Sequence, residues 1–129
     1  MIEKYSLYLP VLIFGIMFFF SFCVAPITFK LLDETNSRKF IRGIFPYYYN
    51  LNLFFSLSAA ILIFLDYGIS SNFYLISLVC ILFFISGFFL MPMINKYRDN
   101  NDERKFKLFH LISVLINFFQ IISLIIIIL

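Results

Sequence analysis

One stretch of this sequence sets chemistry-bearing side chains at helical spacing. From Met91 to Gln120 the chain leaves an apolar run, crosses a short charged segment and enters a second apolar run holding His110, Ser113, Asn117 and Gln120. Successive spacings of 3, 4 and 3 put these four on one face of a helix. Lipid satisfies neither an imidazole nor an amide, so this face is expected to meet protein, water or a ligand. The opposite face, Leu111, Leu115, Phe118 and Ile122, carries no polar atom and suits lipid. Two readings of the polar seam stay open: hydrogen bonding between helices, worth under about 1 kcal/mol per contact, or a ligand site.

His110 is the single histidine. As a haem ligand it would have to pair with Met17, Met91 or Met93, since no second imidazole exists. The cofactor is therefore left unknown, with haem as one candidate. No metal site is expected, because Cys23 and Cys80 lie inside apolar runs with no C-x-x-C and no Cys/His ligand set. They read as small buried hydrophobes at different depths, too far apart to pair. Nothing resembles a nucleophile with its base, a phosphate loop or paired carboxylates, so no catalytic residue is assigned and a non-enzyme is the better reading.

The elements that must position these groups follow from composition. Ordinary chains carry roughly 25% charged residues; this one has 13% charged and 63% apolar residues, with the charges clustered between long uncharged runs. Membrane insertion is the class that fits. The net charge of +3 is spread over short clusters too brief to track phosphates, which argues against a nucleic-acid partner.

Apolar runs at 7–27, 44–65, 73–91 and from 106 to the end predict an all-α membrane protein, a four-transmembrane-helix bundle forming a single domain over residues 1–129. The first run reads as a retained span, since Glu3 precedes it and no A-x-A cleavage site follows. Gly15 is expected to admit a close neighbour. The polar stretch from Thr28 to Gly43, with Phe40 and Ile41 interspersed, is expected to lie partly along the membrane surface. Pro46 suits the first turn of the second span, with Tyr47, Tyr48 and Tyr49 at headgroup depth. The third helix is expected to continue through Pro92 to Arg98. Asn100 with Glu103 reads as a capping box opening the fourth.

Lysine and arginine set the orientation. Lys30, Arg38, Lys39 and Arg42 follow the first span and Lys96, Arg98, Arg104, Lys105 and Lys107 the third, whereas Lys4 alone precedes the first and none lies between Asp66 and Asn72. By the positive-inside rule both basic segments are cytoplasmic and both termini outside, in the inner (cytoplasmic) membrane. With Leu129 at the outer interface, His110 lies about 28 Å away along the helix, at the cytoplasmic rim, with Asn117 about 10 Å deeper. Pro26, Tyr48 and Pro92 fall near the same level. The expectation is a cytosol-facing polar pocket built from His110, Ser113, Asn117, Asn95, Arg98, Tyr48 and Pro26.

The motifs G-x9-A-P-x2-F (Gly15, Ala25, Pro26, Phe29), I-F-P-Y-Y (Ile44 to Tyr48), P-x2-N-x2-R-D (Pro92, Asn95, Arg98, Asp99) and F-H-x2-S-x3-N (Phe109, His110, Ser113, Asn117) occur in this order across four spans. In that order they resemble bacterial members of the transmembrane protein 205-like family, a domain of unknown function (4149). The resemblance implies a four-helix integral membrane protein with no settled activity. That family is also distantly similar to the copper-resistance and protoporphyrinogen-oxidase type bundles, which implies a haem-linked or redox alternative. Those proteins use further histidines that this chain lacks, so no catalytic residue carries over. The leading reading is an accessory or binding protein of the inner membrane. The alternatives are a haem-linked or redox membrane enzyme and a small oligomeric transporter. Its partners would be the lipid bilayer and either a second copy or another membrane protein.

Overall fold

The computed structural model describes residues 2–129, with side chains from Tyr5 onward. Four helical rods make up the molecule. The first is α1 (Ile2–Phe19), a π-helical turn (Phe20–Val24) and α2 (Ala25–Leu31); the second is α3 (Glu34–Tyr67). The third is α4 (Ser71–Ile85), a second π-helical turn (Ser86–Leu90) and α5 (Met91–Asp99), and the fourth is α6 (Glu103–Ile128). All four are long and apolar enough to cross a membrane. Each rod packs on its neighbour in sequence and the fourth closes on the first, around a core that includes Ile13, Met17, Ala59, Ile63, Ile76, Val79, Leu124 and Ile127. The protein is an all-α, multi-pass four-helix membrane bundle.

The π turns have a common cause. A proline inside a helix lacks its N–H, and its ring clashes with the carbonyl four residues back. Pro26 and Pro92 each stand two residues beyond a π turn. There the wider turn bonds Ala25 N–H to Phe20 O and Met91 N–H to Ser86 O, five residues back. The helix therefore runs on through each proline to the basic end of the bundle.

At that end the structure corrects three expectations. The segment from Thr28 to Gly43 is not a separate surface-lying element. It is the last turn of α2, a two-residue connection and the first three turns of α3, which at 34 residues and ~1.5 Å per residue is about 50 Å long. The start was legible in part: the Asp33 carboxylate caps the helix, accepting from Asn36 N–H at 3.0 Å, and Glu34 pairs with Arg38 one turn on. Pro46 consequently sits in mid-helix rather than in the first turn. Asp102, not Asn100, caps α6 by accepting from Lys105 N–H at 3.2 Å. Asn100 instead terminates α5, and Asn101 takes a left-handed conformation (φ 56°) that turns the chain.

Glycine contacts also differ from expectation. A Cβ on Gly15 would meet nothing within 4 Å, so Gly15 is not a packing contact. Gly87 is one: a Cβ there would stand 2.9 Å from Tyr49 Cβ. Cys23 and Cys80 are free thiols, both half-buried.

The chain folds as two similar halves. Each contains a π turn, a proline two residues on, a short basic helix, an aspartate cap and a long return helix. Tyr48 stands fifteen residues after the Asp33 cap and Asn117 fifteen after the Asp102 cap, so the two occupy equivalent positions. Both halves run in the same sense, the arrangement produced by a pseudo-two-fold axis along the bundle.

Candidate functional site

All four rods contribute to a cavity of about 390 Å³ at the basic end. Its floor is a network across the pseudo-axis. Tyr48, buried, stacks on Phe20 with ring centroids 4.4 Å apart. Its hydroxyl donates to Asn117 Oδ1 at 3.4 Å, and Asn117 Nδ2 donates to Ser21 Oγ at 3.1 Å. Three rods are thereby joined through two polar contacts, and Phe83 of the third lies edge-on to Tyr48 at 6.4 Å. Beneath the floor Asn52, fully buried, donates to Tyr48 O at 2.9 Å.

The mouth is cationic. Arg42 grips Asp99 with both guanidinium nitrogens, at 2.6 and 3.2 Å, and reaches Asn95 O at 3.4 Å, tying the second rod to the third. Arg38 is held by Glu34. Arg98 has no carboxylate partner among the described residues. Its guanidinium lies 4.3 Å from the centroid of Phe106, within electrostatic range of Arg38, Glu34 and Arg42. His110 stacks on the same Phe106 at 5.8 Å.

Of the residues singled out from the sequence, Tyr48, Asn95, Arg98, His110, Ser113 and Asn117 line this one cavity. Pro26 does not: it is exposed, and Ala25, one residue and about 100° of helix away, faces in instead. Ser113 spends its hydroxyl on its own helix, donating to His110 O at 2.7 Å. Gln120, the fourth member of the seam, is buried below the cavity and donates to Val79 O at 3.1 Å, so it joins the fourth rod to the third. Leu111, Leu115, Phe118 and Ile122 are exposed, as a lipid-facing stripe requires.

Sequence reading missed Phe20, Ser21, Arg38, Arg42, Tyr49 and Phe106. Ser21 stands alone in an oily run, and its partner Asn117 is 96 positions away. Arg42 carried a signal only through its charge, which set orientation and not a contact. His110, the candidate haem ligand, has an exposed ring stacked on Phe106; of its candidate partners, Met91 lines the same cavity and Met17 lies in the core.

Fold and site together define a polytopic helical membrane protein with an internal cavity opening at its basic end. The family described as Domain of unknown function (DUF4149) matches residues 9–103, well over half of the chain, and the chain belongs to that family. The match covers the first three rods and stops short of the His110–Asn117 seam. Searches of curated proteins and of solved structures found no match.

Proposed function

We propose that this is a binding or accessory protein of the cytoplasmic membrane, with both termini outside and the cavity open to the cytosol. The observation that carries the reading is the cavity itself. At about 390 Å³ it falls within the usual range for small-molecule sites, roughly 300–1,000 Å³. Its wall is mostly apolar, with a few convergent polar groups from separate rods. The asymmetry of lysine and arginine supports the orientation. The likeness of the ordered motifs to bacterial members of the transmembrane protein 205-like family supports placing the chain in a bacterial inner membrane.

The seam now divides by role. Gln120 is interhelical glue, whereas Asn117 serves both the floor and the cavity. No group in the cavity is set up as a nucleophile or a general base, so binding is favoured over catalysis. A mass spectrum of the protein, gently extracted with its membrane, should show a stoichiometric small-molecule adduct. Val114→Trp, which places an indole in the cavity, should remove it. An adduct retained in full by Val114→Trp, or none in the wild type, overturns the reading.

A further inference from the structure

The two halves of the chain repeat each other, and the repeat breaks at the rim of the cavity. Between the second and third rods the basic end is latched, across a small second pocket of about 110 Å³. Gly87 admits Tyr49, and Arg42 holds Asp99 and the Asn95 carbonyl. The equivalent interface lies between the fourth and first rods. There Leu111 stands nine residues past its cap, where Arg42 stands in the first half, and Asp33 stands seven past its proline, where Asp99 stands in the second. Leu111 is exposed and the Asp33 carboxylate caps α3, so this side has no Arg–Asp latch, and the two rods are tied only deeper, by Asn117 donating to Ser21. Consistent with that, α3 packs on the second π turn (Ser86–Leu90), whereas α6 has no comparable packing on the first (Phe20–Val24) among the described residues.

The cavity is therefore exposed along its side between the first and fourth rods. Phe22, Phe29 and Phe118 edge it. Each lines the cavity while remaining about half exposed, at 54%, 56% and 51%. An aqueous solute gains nothing from such an edge, whereas a hydrocarbon chain passes it without leaving an apolar medium. At the basic end of the same cavity stands Arg98. The other two arginines of the mouth are matched by Glu34 and Asp99, which leaves Arg98 as the surplus positive charge.

We propose that the cavity binds one molecule of an anionic phospholipid, taken from the bilayer between the first and fourth rods. The headgroup phosphate sits on Arg98 and a tail lies along Phe22, Phe29 and Phe118. A guanidinium fork matches a phosphate, and surplus positive charge at headgroup level selects lipids of net negative charge. This rests on the cavity being a binding site, as proposed above.

The test is native mass spectrometry of the delipidated full chain offered equal amounts of phosphatidylglycerol and phosphatidylcholine. Wild type should hold one phosphatidylglycerol, with a preference of five-fold or more. Arg98→Gln should bring the ratio near one, and Arg98→Lys should restore most of it; circular dichroism of both variants checks that they are folded. Val114→Trp should remove both lipids. Equal binding of the two lipids by wild type, abolished by Val114→Trp, overturns the anionic assignment and leaves the cavity reading standing. Lipid binding unaffected by Val114→Trp is annular and overturns both. Displacement of phosphatidylglycerol by millimolar inorganic phosphate assigns the site to a free anion and overturns the lipid.

Discussion

Replacing Gly87 by alanine tests the close approach of the second and third rods. The new Cβ would stand 2.9 Å from Tyr49 Cβ and 3.3 Å from Tyr49 Cγ. Ordinary carbon–carbon contacts lie at about 3.5–4.0 Å, so the rods must part by roughly 0.5–1 Å. Tyr49 cannot rotate clear, because the clash is with its first side-chain carbon, which moves only with the backbone. Its ring is also held, stacked on Phe45 at 5.6 Å and edge-on to Tyr48 at 5.1 Å. Overpacking of this kind costs about 1–3 kcal/mol, and alanine's better helix propensity returns up to ~1 kcal/mol. The net expected loss is about 1–2 kcal/mol. Tyr49 lies two helical turns along α3 from Arg42, so part of the displacement falls on the Arg42–Asp99 latch. Reversible unfolding in mixed micelles, followed by circular dichroism against detergent fraction, reads the difference. Gly15→Ala is the matched control, since its methyl meets nothing within 4 Å; it should be neutral or slightly stabilising. If Gly87→Ala unfolds at the wild-type midpoint, or Gly15→Ala falls by as much, the packing argument is wrong.

A double-mutant cycle of Arg42→Ala with Asp99→Asn should give a small favourable coupling that shrinks in high salt, as for an exposed pair; zero coupling at low salt would show that the latch holds nothing. Asn117→Leu removes the bonds to Ser21 and Tyr48, which at ~0.6 kcal/mol each in a membrane bundle implies a stability change within about 1 kcal/mol. A loss of several kcal/mol would make that network structural glue and count against a site. In a background of Cys23→Ala and Cys80→Ala, a cysteine at Ser113 should react with an impermeant maleimide in inverted membrane vesicles and not in intact cells. Labelling from the outside alone reverses the proposed orientation. Topology reporters fused after Asp66 and after Arg98 should give opposite signals, and matching signals would discard the four-span topology.

The spans were legible because their cause is local. An apolar run of some twenty residues has one stable fate in a bilayer, since its backbone groups must bond within the segment. The inward face of the fourth rod was legible for the same kind of reason, as Asn117 and Gln120 could not be left in lipid. The basic end was harder. Phe40 and Ile41 among charges looked like a surface-lying segment, yet Ile41 lines the cavity as part of a continuous α3, while Phe40 is exposed. The π turns were not legible, because Pro10 and Pro46 stand inside helices without one, so a proline alone does not specify the wide turn. Pro26 shows the limit of depth alone: counting along a helix gives its level, but the π turn changes the rotation, so Ala25 faces the cavity and Pro26 the outside.

By itself, then, the sequence determined the four rods, their polarity and the level at which their polar groups gather, because hydropathy, charge and helical rise act along one chain. Which groups touch was decided only when the rods packed. Tyr48 meets Asn117 because the two halves pack about a pseudo-axis, Ser21 meets Asn117 across 96 positions, and Arg98 is left as the surplus cation because Arg42 and Arg38 find carboxylates first. A second Arg–Asp latch is missing between the first and fourth rods because Leu111 and Asp33 stand where its two members would be. That comparison requires knowing which interfaces are equivalent, and only the tertiary arrangement supplies it.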